Sequence, residues 1–192
     1  MKKRKFCWFF SLLLVFTIMF ATRGWGEPLF PYSGGNAPKP GAKPPLIANT
    51  FAVDKGRYGH IWKIYVEADD PDGDMQRIAC MVEQLGYGHY LTDWIYLKPG
   101  NEKHFRGYLQ WNTLGSGASY MPEWTQITLK VSVIDRAGNE SNIVVFPFTF
   151  ETGVENEYQY KLPPPFDQGK LPRLGYINIG LRNPLQDTVE SN

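Results

Sequence analysis

Cysteine is nearly absent from this chain. Only Cys7 and Cys80 occur among 192 residues, and Cys7 lies in an apolar run near the N-terminus. If that run is removed on export, Cys80 has no partner and an intramolecular disulfide is excluded. Cys80 shares a strand face with Ile78 and Val82, which predicts a buried, unreactive thiol. The hydrophobic core alone must therefore hold the fold, and a domain of about a hundred residues can bury enough apolar surface to do so.

Positive charge is scarce beyond the first 26 residues. That segment holds five of the 20 basic residues and no acidic residue, which leaves 15 Lys and Arg against 19 Asp and Glu, a net charge of −4. Proteins that bind nucleic acid neutralise phosphates with clustered Lys and Arg. The remaining chain has no such cluster, so we predict no nucleic-acid partner.

Catalytic signatures are also missing. The histidines, His60, His89 and His104, are scattered and show no metal-ligand spacing. The sequence Gly115-Ser116-Gly117 lacks the strand-to-helix setting of a nucleophile elbow. No phosphate-cradling loop is present, and we predict that the protein is not an enzyme.

The N-terminus has the pattern of an export signal. Four basic residues, Lys2 to Lys5, precede an uncharged apolar run from Phe6 to Ala21, which is shorter than the roughly 20 residues of a comfortable membrane span. We predict a signal peptide over residues 1–26, with cleavage after Gly26. An uncleaved anchor is the alternative, because Arg23 and Trp25 suit the cleavage site poorly. Either way, we expect an exported protein in the periplasm, at the cell surface or outside the cell, with membrane contact only through an uncleaved signal.

Residues 27–45 are rich in Pro, Gly, Lys, Ala and Ser. Proline disfavours helix in the residue before it, so this segment is predicted to be an extended linker. At about 3.1 Å per residue in the polyproline II conformation, it could span roughly 60 Å. A stalk and an unstructured leader fit the composition equally well.

Residues 46–152 alternate apolar and polar side chains in short runs separated by turns. This pattern is typical of an antiparallel β-sandwich of about seven strands. Pro147 in the last run indicates an edge position or a bulge. The predicted strands are 46–53, 61–68, 75–84, 90–97, 105–111, 126–135 and 142–150.

Residues 153–192 are predicted to form a C-terminal tail with a proline hinge at Pro163-Pro164-Pro165. Beyond the hinge, the segment Leu171–Leu181 carries alternating apolar residues. Such a segment could pair with its own sheet, add a strand to a partner's sheet, or stay disordered. The sequence leaves these three alternatives open.

Two acidic loops carry a resemblance to known domains. The strand ending at Asp135, followed by the turn Arg136 to Ser141 with its Ala-Gly-Asn centre, resembles the closing hairpin of bacterial immunoglobulin-like domains of exported proteins. The turn Asp70-Pro71-Asp72-Gly73-Asp74 is similar to the aspartate-rich turns of cadherin-like and related sandwich modules, a group that includes fibronectin-III-like domains. The resemblance covers roughly residues 46–150 and implies an immunoglobulin-like sandwich without the paired cysteines of antibody domains.

In a sandwich, these two loops are expected at the same end of the molecule. Calcium takes six to eight oxygen ligands, many of them carboxylate, so the loops predict a calcium site. The alternative is that Asp, Asn, Pro and Gly serve only the turns themselves. The candidate calcium ligands are Asp69, Asp70, Asp72, Asp74, Asp135 and Asn139.

Aromatic residues make up 15% of the chain. Trp94, Tyr96 and Trp124 are candidate binding residues, because exposed rings anchor protein partners and form flat platforms for glycans. On the predicted strand 90–97, Tyr90, Trp94 and Tyr96 are expected on one face. Packing in the core is the alternative role for these rings.

The sequence therefore predicts an exported, non-catalytic immunoglobulin-like module that binds protein or serves a structural role in the bacterial cell envelope. Its expected partner is an envelope or extracellular protein. A carbohydrate-binding module and a calcium-stiffened adhesion module are the two alternatives. No other cofactor is expected.

Overall fold

The computed structural model of the protein describes residues 40–115, 121–153 and 160–183, and these residues form ten β-strands. No described residue lies in a helix long and apolar enough to cross a membrane. The strands are β1 (Leu46–Phe51), β2 (Lys55–Gly56), β3 (Ile61–Asp69), β4 (Met75–Gln84), β5 (Gly88–His89), β6 (Asp93–Tyr96), β7 (His104–Asn112), β8 (Gln126–Asp135), β9 (Val144–Phe150) and β10 (Arg173–Ile177).

The strands form two sheets. The four-stranded sheet has the order β1-β3-β7-β10, and the six-stranded sheet has the order β2-β9-β8-β4-β5, with β6 also paired to β4. The protein is thus an all-β, immunoglobulin-like sandwich, as the sequence predicts. Most strand pairs are antiparallel, as predicted, but both sheets are mixed, because β10 pairs with β7 and β2 pairs with β9 in parallel. Both parallel strands reach their partners through connections longer than a hairpin, which parallel pairing requires.

All seven predicted strands are present, within a few residues of their predicted bounds. The predicted strand 90–97 is shorter than expected and covers Asp93–Tyr96. Two of the three additional strands, β2 and β5, have two residues each, too few to show a period of two. The third is β10, which lies in the predicted C-terminal tail.

Side-chain alternation along the strands builds one core between the sheets. Trp62, Ile64, Val66 and Ala68 of β3 are fully buried, as the sequence predicts. The Trp62 ring lies 4.6 Å from Phe148 and 6.0 Å from Trp111, measured between ring centroids. Each indole finds a backbone acceptor: Trp62 Nε1 donates to Val53 O, and Trp111 Nε1 donates to Ile179 O, both at 2.9 Å. Cys80 is buried in this core, as predicted, and the burial raises the pKa of its thiol.

Residues 160–183, which we call the C-terminal strap, first cross the outer face of the four-stranded sheet. Phe166 is buried there against Tyr65, with ring centroids 5.7 Å apart. Tyr160 packs against Phe51 at 5.7 Å, and Arg106 Nη1 donates to Pro165 O at 3.1 Å. Tyr65 is therefore buried although it points away from the main core.

The strap then closes one side of the sandwich. β10 adds to the edge of β7, and beyond it Asn178 N donates to Asp93 Oδ2 of the other sheet at 2.7 Å. Gln84 Nε2 donates to Arg182 O at 2.7 Å, and Arg182 N donates to Tyr90 Oη at 2.9 Å. The alternative in which the segment Leu171–Leu181 pairs with its own sheet is therefore the one the structure shows. The packed domain extends past the predicted boundary at residue 152, because Leu174, Ile177, Ile179 and Leu181 belong to the core.

On the opposite side of the sandwich, Asn142, just before β9, joins the two sheets through hydrogen bonds to β1. Ile47 N donates to Asn142 Oδ1 at 2.8 Å, and Asn142 Nδ2 donates to Ile47 O at 3.1 Å. These bonds occupy both backbone groups of Ile47 on β1, where the pairing with β3 is also irregular. At Ile47, β1 therefore has no free backbone group with which to pair with another chain.

The predicted signal peptide and most of the predicted linker lie outside the described residues. Export and signal cleavage therefore remain predictions.

Candidate functional site

The first acidic loop, between β3 and β4, is organised by Asp70. Its side chain is buried, with Oδ1 accepting from Asp72 N at 3.0 Å and Oδ2 accepting from Asp74 N at 2.9 Å. Gly73 allows the turn through its positive φ of 74°. A carboxylate that binds backbone N–H groups two and four residues ahead fixes a tight turn. Asp70 thus holds Asp74 toward the end of the sandwich.

The second acidic loop, between β8 and β9, is organised in the same manner by Asp135. This buried carboxylate accepts from Asn139 N at Oδ1 and from Asn139 Nδ2 at Oδ2, both at 2.8 Å. Asp135 N in turn donates to Asn139 O at 3.1 Å. The turn therefore presents one buried carboxylate beside the first loop.

The two loops meet at one end of the sandwich, which we call the acidic end. Met75 pairs with Asp135 in the register of β4 and β8, and Arg136 N donates to Asp74 O at 2.9 Å. As a result, carboxylate oxygens of Asp70, Asp74 and Asp135 lie within 4.8 Å of one another. The structure thus shows the predicted convergence of the two loops.

Asp74 is the residue that this arrangement leaves unsatisfied. Its Oδ1 is buried and has no hydrogen-bond partner among the described residues. Loss of hydration raises the pKa of this carboxyl most, and the charges of Asp135, Asp70 and Asp72 raise it further. Three carboxylates this close repel one another unless a proton or a cation joins them.

The other predicted ligands lie outside this three-residue cluster. Asp69 is exposed, with its Oδ1 2.8 Å from His104 Nδ1. Asp72 is exposed and accepts from Lys43 N at Oδ2, at 2.7 Å. Asn139 directs its side-chain amide to Asp135. The sequence identified the right loops, but it could not show which of their side chains converge.

The donor set of the cluster suits a hard cation. Calcium prefers carboxylate and carbonyl oxygens and tolerates irregular geometry, whereas zinc favours nitrogen and sulfur ligands. Asp70, Asp74 and Asp135 would hold the ion, and its charge would offset their mutual repulsion. Four of their six carboxylate oxygens already accept N–H bonds, so water or carbonyl oxygens would complete the coordination.

The predicted aromatic residues do not form one platform. Trp94 pairs with Ala79, which pairs with Ser132 of β8. Trp124 lies in the turn before β8, which begins at Gln126, six residues or roughly 20 Å of extended strand from Ser132. Trp94 and Trp124 therefore lie on different parts of the domain.

Trp94 and Tyr96 lie on the outer face of the six-stranded sheet, since their neighbour Ile95 is buried in the core. The Arg77 guanidinium lies 4.3 Å from the centroid of the Trp94 ring, while Tyr96 is 64% exposed. Tyr90 does not share this face. It packs against the core, and its hydroxyl donates to Gln84 Oε1.

Trp124 lies at the end opposite to the acidic end. It is 65% exposed and has a φ of 66°, the only described residue other than glycine with a positive φ. Its neighbour Glu123 and its hydrogen-bond acceptor Phe150 line an open cleft with a volume of about 380 Å³. The cleft is lined by Arg57, Tyr58, Met121, Glu123, Phe150, Glu151 and Thr152. No sequence pattern indicates this cleft, because its walls come from three separate places: the segment after β2, the end of β9 with the residues that follow it, and the segment before β8.

No protein-family model matches the chain, and no curated protein matches it. Among solved structures, it is similar to the PKD domain of an M14-like peptidase from a Thermoplasmatales archaeon. That likeness covers 57% of this chain and 98% of the PKD domain, with 17% identity and a TM-score of 0.37. The likeness is distant, and the fold assignment rests on the strands and their pairing.

Proposed function

We propose that the protein is an exported, non-catalytic component of the bacterial cell envelope that binds another envelope or extracellular protein through its immunoglobulin-like domain. The observation that carries this proposal is the outer face of the six-stranded sheet, which presents Tyr96, Val145 and Pro147 to solvent within the described residues. The strap covers part of the outer face of the four-stranded sheet, where it buries Tyr65. Exposed aromatic and apolar side chains on a rigid sheet are typical anchors of protein interfaces.

Charged substitutions on this face test the proposal. Tyr96→Arg and Val145→Arg should each reduce the capture of a specific cross-linked partner from native envelopes by about tenfold, because a charge replaces an apolar contact. Leu46→Arg is the matched control, since Leu46 and Val145 are both 55% exposed and Leu46 lies on β1 of the other sheet. Equal capture by all variants, or no specific partner for the wild type, would contradict the proposal.

We propose in addition that the acidic end binds calcium and that the ion stiffens the domain. Support comes from the convergence of Asp70, Asp74 and Asp135 and from the unpartnered Oδ1 of Asp74. A ligand bound only by the folded state stabilises it, by about 2.7 kcal/mol at a concentration a hundredfold above Kd. Thermal unfolding at neutral pH should therefore occur at a higher Tm in millimolar calcium than in chelator.

Magnesium at the same concentration is the matched condition for this experiment. Magnesium demands near-ideal octahedral geometry and dehydrates reluctantly, so it should raise Tm less than calcium does. An identical Tm in calcium and in chelator would remove calcium from the proposal and leave the protein-binding role standing.

A further inference from the structure

Trp124 combines two features that do not help the fold. A positive φ places the Cβ of a residue other than glycine against the neighbouring carbonyl oxygen, and such strain persists only where the surrounding structure enforces it. Here Trp124 N donates to Phe150 O at 2.7 Å, and Thr125 N donates to Pro122 O at 3.2 Å, which hold the turn. The strained turn directs a large apolar ring into solvent rather than into the core.

The cleft next to the Trp124 backbone has an apolar wall and a polar rim. Tyr58 and Phe150 meet edge to face at 6.0 Å, and with Met121 they provide the apolar wall. Trp124 adjoins the cleft through its neighbour Glu123 and its bond to Phe150. A volume of about 380 Å³ falls within the 300–1,000 Å³ typical of small-ligand sites.

The rim carries charges that largely compensate one another. Glu151 pairs with Lys55 at 3.5 Å, and Arg57 faces Glu123 and Glu151 around the same cleft. Glu123 Oε1 accepts from both Thr152 N and Thr152 Oγ1, and these bonds lower the pKa of Glu123. The rim thus offers an ionised acceptor without a strong net charge.

We propose that Trp124 and this cleft form a binding site for a neutral oligosaccharide built of hexoses. A hexose ring has an apolar face of C–H groups that stacks on an indole, and its hydroxyls donate to carboxylates such as Glu123. A strongly acidic saccharide gains nothing here, because the charges of the rim already compensate one another and leave no surplus cation to bind it. This site is separate from the protein-binding face and from the acidic end, so its failure would leave both earlier proposals intact.

A glycan array that carries neutral and acidic oligosaccharides tests the ligand class. The purified protein should bind neutral hexose oligosaccharides, and isothermal titration with the best soluble one should then give a measurable Kd. Trp124→Gly should weaken that Kd at least about tenfold, a loss of one stacking contact. Tyr176→Ala, which removes another exposed ring on β10, should leave Kd unchanged.

The glycine variant also separates binding from folding. Glycine accepts a positive φ without strain, although it adds freedom to the unfolded chain. The Tm of Trp124→Gly should therefore stay within about 4 °C of the wild-type value. Weaker binding at an unchanged Tm supports a ligand-binding role for the ring.

Fluorescence gives a second readout. Trp62 and Trp111 are fully buried and Trp94 is half-buried, so Trp124 dominates acrylamide quenching among the described tryptophans. The bound oligosaccharide should reduce quenching in the wild type and not in Trp124→Gly. The proposal is overturned if no neutral glycan binds the wild type, if only acidic glycans bind, or if the wild type and Trp124→Gly bind equally.

Discussion

At the scale of single residues, Asp74 makes stability depend on pH. The folded state raises the pKa of this carboxyl above its ordinary value, so between those two values the folded state holds more protons than the unfolded state. Stability then falls as pH rises through that window and stays lower above it. In chelator, we expect Tm to decrease from about pH 4 toward neutral pH, as measured by circular dichroism.

Substitution at Asp74 tests the cause of this slope. Asp74→Asn should flatten the decrease in Tm and raise Tm at neutral pH in chelator, because one of three repelling charges is gone. The same variant should lose most of the stabilisation by calcium. Asp72→Asn is the matched control: the exposed Asp72 lies outside the cluster, and its charge is the smallest of the causes that raise the pKa of Asp74, so most of both effects should remain. An unchanged slope in Asp74→Asn would place the titrating group elsewhere.

Cys80 offers a residue-scale measure of global unfolding. Its thiol is fully buried, and burial raises its pKa, so the reactive thiolate is scarce in the folded state. We expect reaction with a thiol reagent at pH 8 only at the rate of global unfolding, and at the full thiol rate in denaturant. Rapid labelling of the native protein would show a local opening of β4.

The sequence correctly predicted which side chains of a strand lie in the main core. It did not predict contacts between residues that are far apart in the chain. Cys80 and Trp62 follow from alternation within their own strands. Tyr65 was expected on the outward face and does lie there, but Phe166 of the strap buries it. The sequence around Tyr65 gives no sign that a side chain about a hundred residues later in the chain packs on its ring.

At the scale of elements, the strap packs closely on β7 because a glycine lies at the contact. A Cβ on Gly107 of β7 would overlap Pro172 O and the Leu174 side chain. Gly107→Ala should therefore lower the free energy of unfolding by about 1–3 kcal/mol, the usual range for overpacking, as measured by urea denaturation.

Gly180→Ala is the matched control for this prediction. Gly180 lies in the strap, its φ is not positive, and nothing lies within 4 Å of an added Cβ. Its stability should change by less than about 0.5 kcal/mol, as for ordinary surface substitutions. Equal effects at Gly107 and Gly180 would show that the strap does not pack tightly on β7.

Strand length determined which elements could be predicted from the sequence. β3, β4, β7, β8 and β9 are long enough for alternation to identify them, and Pro147 was correctly expected on an edge, since β2 pairs with β9 only at Thr149 and Phe150. β10 has five residues interrupted by Gly175, and tertiary contacts decide its pairing. Propensity at such a segment is too weak to choose between its own sheet, a partner's sheet and disorder.

At the scale of the whole molecule, the strap is part of the sandwich rather than a free arm. Phe166, Leu174, Ile177, Ile179 and Leu181 are all buried, and each buried side chain of this size contributes about 1.5–3 kcal/mol. Their sum, roughly 7–15 kcal/mol, is comparable to the whole stability of a typical domain, which is about 5–15 kcal/mol. The strap cannot leave to complete a partner's sheet without unfolding much of its own domain.

A chain that ends at Leu162 tests this conclusion. Without β10, the edges of β7 and β6 are exposed and the indole N–H of Trp111 loses its acceptor, Ile179 O. We expect the truncated chain to lose its near-UV circular dichroism and its cooperative urea transition, and a synthetic peptide of residues 160–183 to restore both when added in excess. A truncated chain that unfolds at the same urea concentration as the full-length protein would instead mean that the sandwich is complete at residue 152 and that the strap is free to bind a partner.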